Sequence, residues 1–248
     1  MPILNGSPQS NCTNGNNVLG KKGLLLPLLA MTVVTGFVDA VSYLGLGHVF
    51  TANMTGNVVL LGLALAGAPR VSIARSLTSI LAFFLGGIVG GRLELALSGS
   101  TRRRHVLAAA AFEAILLCAG ALACAHADVT ADRFVIRVYL AILLTAAAMG
   151  LRTATVRRLA VADITTTVVT SVLASFAADS SLAGGNNLHI GRRVGSIFSM
   201  LAGAAIGTLL LRFGPAVPLM CGAVSVLAAA CAYARTPFAS SHSGKENT

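Results

Sequence analysis

Acidic residues are scarce in this chain, eight Asp and Glu among 248 residues, and tryptophan is absent. Charged residues of all kinds reach 10%, against roughly 25% in an average soluble domain, which is too little to clothe a water-facing surface. The 18 Lys and Arg leave a net charge of +10. Nucleic-acid recognition would require a basic face with aromatic or base-contacting side chains; here the arginines fall in short loops, and no nucleic-acid partner is expected.

Paired cysteines are missing as well. Cys12, Cys118, Cys124, Cys221 and Cys231 show no metal-ligand spacing, and inside apolar runs cysteine behaves as a small hydrophobe. Neither a disulfide framework nor a metal is expected. The chain has no nucleophile elbow, phosphate loop or nucleotide fingerprint, so no cofactor and no enzymatic activity are expected. One intramembrane acid and scattered histidines make no catalytic constellation.

What the chain has in abundance is apolar length. Hydrophobic residues reach 55% and the mean hydropathy is +0.81. Eight apolar segments stand out: 23–46, 49–68, 77–97, 106–127, 134–151, 164–178, 194–211 and 215–234. Runs of about 18 uncharged apolar residues mark membrane-spanning helices. The prediction is an all-α polytopic membrane protein with the lipid bilayer as its surroundings. Residues 1–22, rich in Asn, Ser and Gly, and residues 235–248 read as polar tails, the first without the apolar region of a signal peptide.

Two segments interrupt the pattern. The second opens with "GHVFTANMTGN", placing Thr51, Asn53, Thr55 and Asn57 where amides and hydroxyls are costly in hydrocarbon. The sixth opens with "DITTTVVTS", carrying Thr165, Thr166, Thr167 and Thr170. If these two enter and leave by the same side, six helices cross. Twelve Lys and Arg then lie at one end, including Arg102 to Arg104, Arg152, Arg157 and Arg158, against five at the other. The positive-inside tendency puts that end, with both termini, in the cytoplasm.

The oddities recur at matching positions. Gly36 precedes Thr55 much as Gly150 precedes Thr170, and Gly87 and Gly91 follow the first as Gly203 and Gly207 follow the second. Two repeats, 23–127 and 128–234, with three crossings each, enter the membrane from opposite sides. That is an inverted repeat, the plan of many secondary transporters, in which broken helices build a midplane site. The second copy departs from the first: Thr153 stands where Asp39 does, and no asparagine matches Asn53.

On "GFVDAVSYLGLGHVFTANMTGN", "AMGLRTATVRR" and "DITTTVVTSVLASFA", the chain resembles the YoaK-like membrane proteins, the domain-of-unknown-function family numbered twelve seventy-five. The resemblance spans roughly residues 24–234 and implies a multi-pass protein of the bacterial inner membrane without assigning an activity.

Single residues sharpen the expectation. Asp39 lies inside the first apolar run, where a bare carboxylate costs a few kcal/mol or more. It is a candidate for proton or ion coupling and for ligand contact, against a structural acid bonded to the broken segment. Glu113, inside the fourth, is either a proton relay or a protonated acid paired with a neighbouring helix. Gly86, Gly87, Gly90 and Gly91 offer a close-packing face, within the chain or between copies in a homo-oligomer.

Together these features predict a small permease for a polar or anionic metabolite. Asp39, Thr51, Asn53, Thr55, Asn57, Thr165, Thr166, Thr167 and Thr170 would face the solute, and Asp39 and Glu113 would couple an ion. The competing reading is a non-transporting scaffold or accessory subunit.

Overall fold

The structure is a computed structural model and describes residues 15–97, 99–125, 131–158, 169–178 and 190–235. Its helices are α1 (Gly15–Gly45), α2 (Met54–Leu65), α3 (Ile73–Ala96), α4 (Arg102–Ala125), α5 (Ala131–Arg158), α6 (Val169–Ala178), α7 (Ile190–Leu210) and α8 (Ala216–Arg235). Among the described residues, six are long and apolar enough to cross a membrane: α1 from Leu26, α3, α4, α5, α7 and α8. At 1.5 Å per residue, the twelve residues of α2 fall well short of a bilayer core of roughly 30 Å.

The chain turns back on itself to make that short helix. After Gly45 it passes through Gly47 (φ 93°) and His48 (φ 57°) and re-enters the bundle until the Ala52 amide reaches Asp39. Asp39 lies six residues before the end of α1, a depth of about 9 Å. The Asn53 side chain then starts α2 by accepting from the Gly56 amide at 3.2 Å. α2 returns along α3, so this segment leaves by the end through which it entered. The broken segment anticipated from the polar stretch is thus a re-entrant loop and half-helix. Residues 159–168, before α6, lie outside the described residues, and with them Thr165, Thr166 and Thr167; of the Thr170 side chain nothing is described.

The crossing helices alternate in direction. The starts of α1 and α4 meet the ends of α5 and α8 around one cavity, and the opposite ends of the same helices meet around another. The first end is arginine-rich, with Arg103, Arg104, Arg157 and Arg235 exposed. Both the start of α1 and the end of α8 lie there.

Helices α1, α4, α5 and α8 enclose the apolar core, where Val34, Val38, Leu117, Ile142, Leu219 and Val226 are fully enclosed. Their hydroxyls are satisfied without leaving the helix. Thr32 donates to Leu28 O at 3.0 Å, Thr35 to Met31 O at 3.1 Å, Thr145 to Ala141 O at 2.6 Å and Ser225 to Cys221 O at 2.7 Å. This bonding to the preceding turn lets threonine sit in hydrocarbon at little cost. Large apolar side chains such as Phe84, Leu85, Phe198 and Leu201 face outward, as a lipid-facing surface requires.

α3 packs along α5, and α1 along α7. Both contacts are backbone to backbone at glycine. A Cβ on Gly36 would fall 2.5 Å from Met200 O and 2.9 Å from the Gly203 carbonyl carbon; one on Gly150 would meet the Phe83 carbonyl, with Gly87 N at 3.0 Å. The facing glycines match: Gly203 abuts the backbone of Val33, three residues before Gly36, and Gly86 that of Ala147, three before Gly150. Gly207 meets Phe37 and Ala40, and Gly90 meets Leu151 and Ala154. Gly86 and Gly90, rather than the Gly87 and Gly91 aligned from the sequence, thus meet α5 at the positions where Gly203 and Gly207 meet α1. Gly91 has nothing within 4 Å of its Cβ position.

The register is testable. Gly86→Ala and Gly150→Ala force a methyl into facing backbone and should destabilise by about 1–3 kcal/mol, as overpacking does. Gly91→Ala meets nothing and should be neutral, or gain up to about 1 kcal/mol of helix propensity. Thermal unfolding of the three variants in detergent checks this; equal behaviour of Gly86→Ala and Gly91→Ala would refute the register.

Candidate functional site

The side chains of the broken segment are spent on its own backbone. Asn57 is fully enclosed: its Oδ1 accepts the Phe50 amide at 2.9 Å, and its Nδ2 donates to Phe50 O at 2.5 Å and to Ser79 Oγ at 3.0 Å. Ser79 Oγ also donates to Phe50 O at 2.6 Å. One side-chain amide thereby replaces the ladder partner that an extended residue lacks inside a bundle. Asp39 does the same for the next stretch, with its Oδ1 3.0 Å from Ala52 N and the Thr51 and Asn53 amides turned to the same carboxylate. A carboxylate at the N-terminal end of α2 also complements the partial positive charge there.

The remaining polar residues of the stretch divide. Asn53 caps α2, and Thr55 is exposed. Thr51 is fully buried, and its hydroxyl oxygen has no hydrogen-bond partner among the described residues. Around the turn, Tyr43 stacks on Phe50 with ring centroids 5.0 Å apart and meets His48 edge-on at 5.1 Å. Arg75 Nη1 donates to Gly47 O at 3.3 Å. Asp39, Asn53 and Asn57 are brought together as a framework holding an irregular backbone.

The densest polar group lies elsewhere, at a residue taken from the sequence as a loop anchor. Helix α5 continues past residue 151 to Arg158, which carries Arg152 into the bundle at 2% exposure. This takes Arg152 out of the twelve arginines and lysines assigned to one end from the sequence. Arg152 Nε donates to Glu113 Oε1 at 2.7 Å, and Nη2 donates to the same oxygen. Its far edge is held by α1: Nη1 donates to Met31 O at 2.9 Å and Thr35 Oγ1 at 3.1 Å. Glu113, on α4, is itself 2% exposed. The geometry pairs it with a neighbouring helix, as the second reading anticipates, but through an ion pair with Arg152 rather than as a protonated acid.

This pair is the polar floor of a cavity of about 40 Å³, room for about three waters at roughly 10–15 Å³ each. The walls are mostly apolar and come from four helices: Leu28 and Met31, Val106 and Ala109, Val156, and Ala230, with Thr155 and Tyr233 beside them. The cavity lies toward the arginine-rich end. At the other end, Gly45, Ala123, Arg137, Val138 and Pro215 surround a second cavity of about 30 Å³. Between the two, the enclosed residues of α1, α4, α5 and α8 close the bundle.

Comparison with known proteins places this arrangement. A family model described as a protein of unknown function, DUF1275, matches residues 27–232. The chain belongs to that family. It is also 40% identical over 160 residues to the UPF0700 transmembrane protein YoaK of Bacillus subtilis (strain 168), an alignment covering 64% of this chain and 68% of that protein. No solved structure matches. With six helices among the described residues long and apolar enough to cross, this DUF1275 member is a multi-pass integral membrane protein. The matched region holds the buried pair, the re-entrant loop and every residue lining the two cavities except Tyr233.

Sequence reasoning missed Arg152 as a site residue, and one signal for it was present. A Glu inside one span and an Arg at the edge of another are both costly unless paired. Removing one partner strands the other: Arg152→Gln and Glu113→Gln should each destabilise by about 3–5 kcal/mol. The Glu113→Gln/Arg152→Gln double variant should recover most of that loss, measured by thermal unfolding in detergent. Additive losses in the double variant would show that the two do not interact. At Thr51, replacement by the isosteric valine removes a buried hydroxyl without a partner and should raise the unfolding temperature; a drop would reveal a bond that the hydroxyl makes.

Proposed function

We propose that this protein is a small secondary permease of the inner membrane for a polar or anionic metabolite, and that the solute meets the Glu113–Arg152 pair at the floor of the cavity. One observation carries the reading: two fully buried, opposite charges contributed by α4 and α5 line a cavity whose other walls are mostly apolar. Ionisable groups at membrane depth are expensive, and substrate and ion pathways are where they are kept.

The helix pairings support an inverted repeat of residues 23–127 and 128–234. If α1 to α4 are exchanged with α5 to α8, the pair α1–α7 becomes α5–α3, α4–α5 becomes α8–α1, α2–α3 becomes α6–α7, and α4–α8 maps onto itself. The cavity at one end maps onto the cavity at the other. Alternating access in such a plan means opening one cavity while the other closes, with α1–α7 and α3–α5 moving as pairs tightened by their glycines. Asp39, Asn53 and Asn57 then keep the re-entrant loop rigid rather than contact solute.

That use of Asp39 and Asn57 also favours the second reading, a scaffold whose interrupted helix only packs. Transport separates the two. Proteoliposomes of the wild type, loaded by exposure to a mixture of labelled polar metabolites, should accumulate at least one of them. Vesicles carrying the charge-neutral Glu113→Gln/Arg152→Gln chain should accumulate none. Equal filling of both sets, or of neither, would favour the scaffold.

The orientation has its own check. With the arginine-rich end in the cytoplasm, a single cysteine at position 103 in a cysteine-free chain should label with impermeant reagent in inside-out vesicles and stay unlabelled in intact cells. The reverse pattern would invert the assignment.

A further inference from the structure

We infer that the ligand of this cavity is a small zwitterion of the amino-acid type, whose carboxylate takes the Nε–Nη2 edge of Arg152 and whose ammonium takes Glu113. Transport of that ligand rests on the permease reading; binding does not.

The guanidinium is held in two different ways. Its Nη1 is fixed to α1 through Met31 O and Thr35 Oγ1, so the ring of donors keeps its orientation whatever happens on the other side. The Nε–Nη2 edge, now on Glu113, is the side-on fork that matches a carboxylate in bidentate fashion. A ligand carboxylate competes for that edge alone.

Charge balance then selects the ligand. Glu113 and Arg152 are the only charged residues lining the cavity among those described, and together they are neutral. A simple carboxylate taking the fork would release Glu113 as an unpaired ion among apolar walls, where an uncompensated charge costs far more than a hydrogen bond returns. A simple amine on Glu113 would strand Arg152 in the same way. A neutral solute cannot displace either partner. Only a molecule bringing both charges returns a partner to each, and the site stays neutral before and after binding.

Size and lining narrow the class further. The cavity of about 40 Å³ is small, and the walls are Leu28, Met31, Val106, Ala109, Val156 and Ala230. A short aliphatic side chain matches those walls; a second charged group finds no oppositely charged residue there among the described ones, the other polar side chains being the hydroxyls of Thr155 and Tyr233.

The test is thermal unfolding of the purified full chain in detergent. The probes are glycine, L-alanine and L-valine, beside propionate and lactate (carboxylate alone), propylamine (ammonium alone) and L-alaninamide (carboxylate neutralised). At about a hundredfold Kd, one of the three zwitterions should raise the unfolding temperature by roughly 5–10 °C. The single-charge and neutral probes should leave it unmoved, and the Glu113→Gln/Arg152→Gln chain should respond to none. Stabilisation by propionate or lactate comparable to that by an amino acid would overturn the inference. So would silence of all three amino acids, or an undiminished shift in the double variant. A zwitterion that binds but is not accumulated by proteoliposomes would sink the permease reading and leave the site. Accumulation of solutes that carry a single charge would do the opposite.

Discussion

Polar groups inside this bundle have to find their partners inside it, because lipid offers none, and among the described residues the Thr51 hydroxyl stands out as one that does not. The Glu113–Arg152 pair is where that constraint is most severe. It draws together α4, α5 and, through Met31 and Thr35, α1. Lesser cases follow the same rule. Threonines of α1 and α5 bond to the turn behind them, and the amides exposed by breaking the chain after α1 are received by Asp39 and Asn57. Where no polar group intervenes, α1 and α7, and α3 and α5, come close enough at Gly36 and Gly150 that backbone meets backbone.

These devices divide the molecule into framework and centre. The glycine contacts make two tight helix pairs, each joining one helix from either half of the chain. The re-entrant loop is clamped to α1 by Asp39 and to α3 by Asn57 with Ser79. The buried ions, by contrast, face a cavity whose walls are otherwise mostly apolar. A pair serving only as a bridge could be replaced by two well-packed apolar residues with no loss of stability, or with a gain, and its position on a cavity floor is what links it to a ligand.

Much of the architecture was legible before any coordinates. Composition and apolar length indicated the crossing helices, and the polarity of residues 51–57, too high for a span, indicated the break. The depth of Asp39 in the first run pointed to an acid with a structural or functional partner, and that partner is the amide of Ala52. Arg152 was misplaced because hydropathy falls at residues 150–152, which reads as the end of a span, and a following arginine reads as its anchor. Its partner is 39 residues earlier on another helix, and nothing local links the two. The glycine register slipped for a related reason: "LGGIVGG" fits two alignments equally, and only the facing backbone of Ala147 and Leu151 chooses between them. The threonines at 165–167 fall outside the described residues.

The central claim is that Glu113 stands ionised against Arg152 inside the bundle. Infrared difference spectroscopy of the purified protein, wild type minus Glu113→Gln, measures it directly at neutral pH. The account predicts that the substitution removes an ionised carboxylate stretch. Loss of a protonated carboxyl band in its place would show an acid that carries no charge, and the ion pair, with everything drawn from it, would be contradicted.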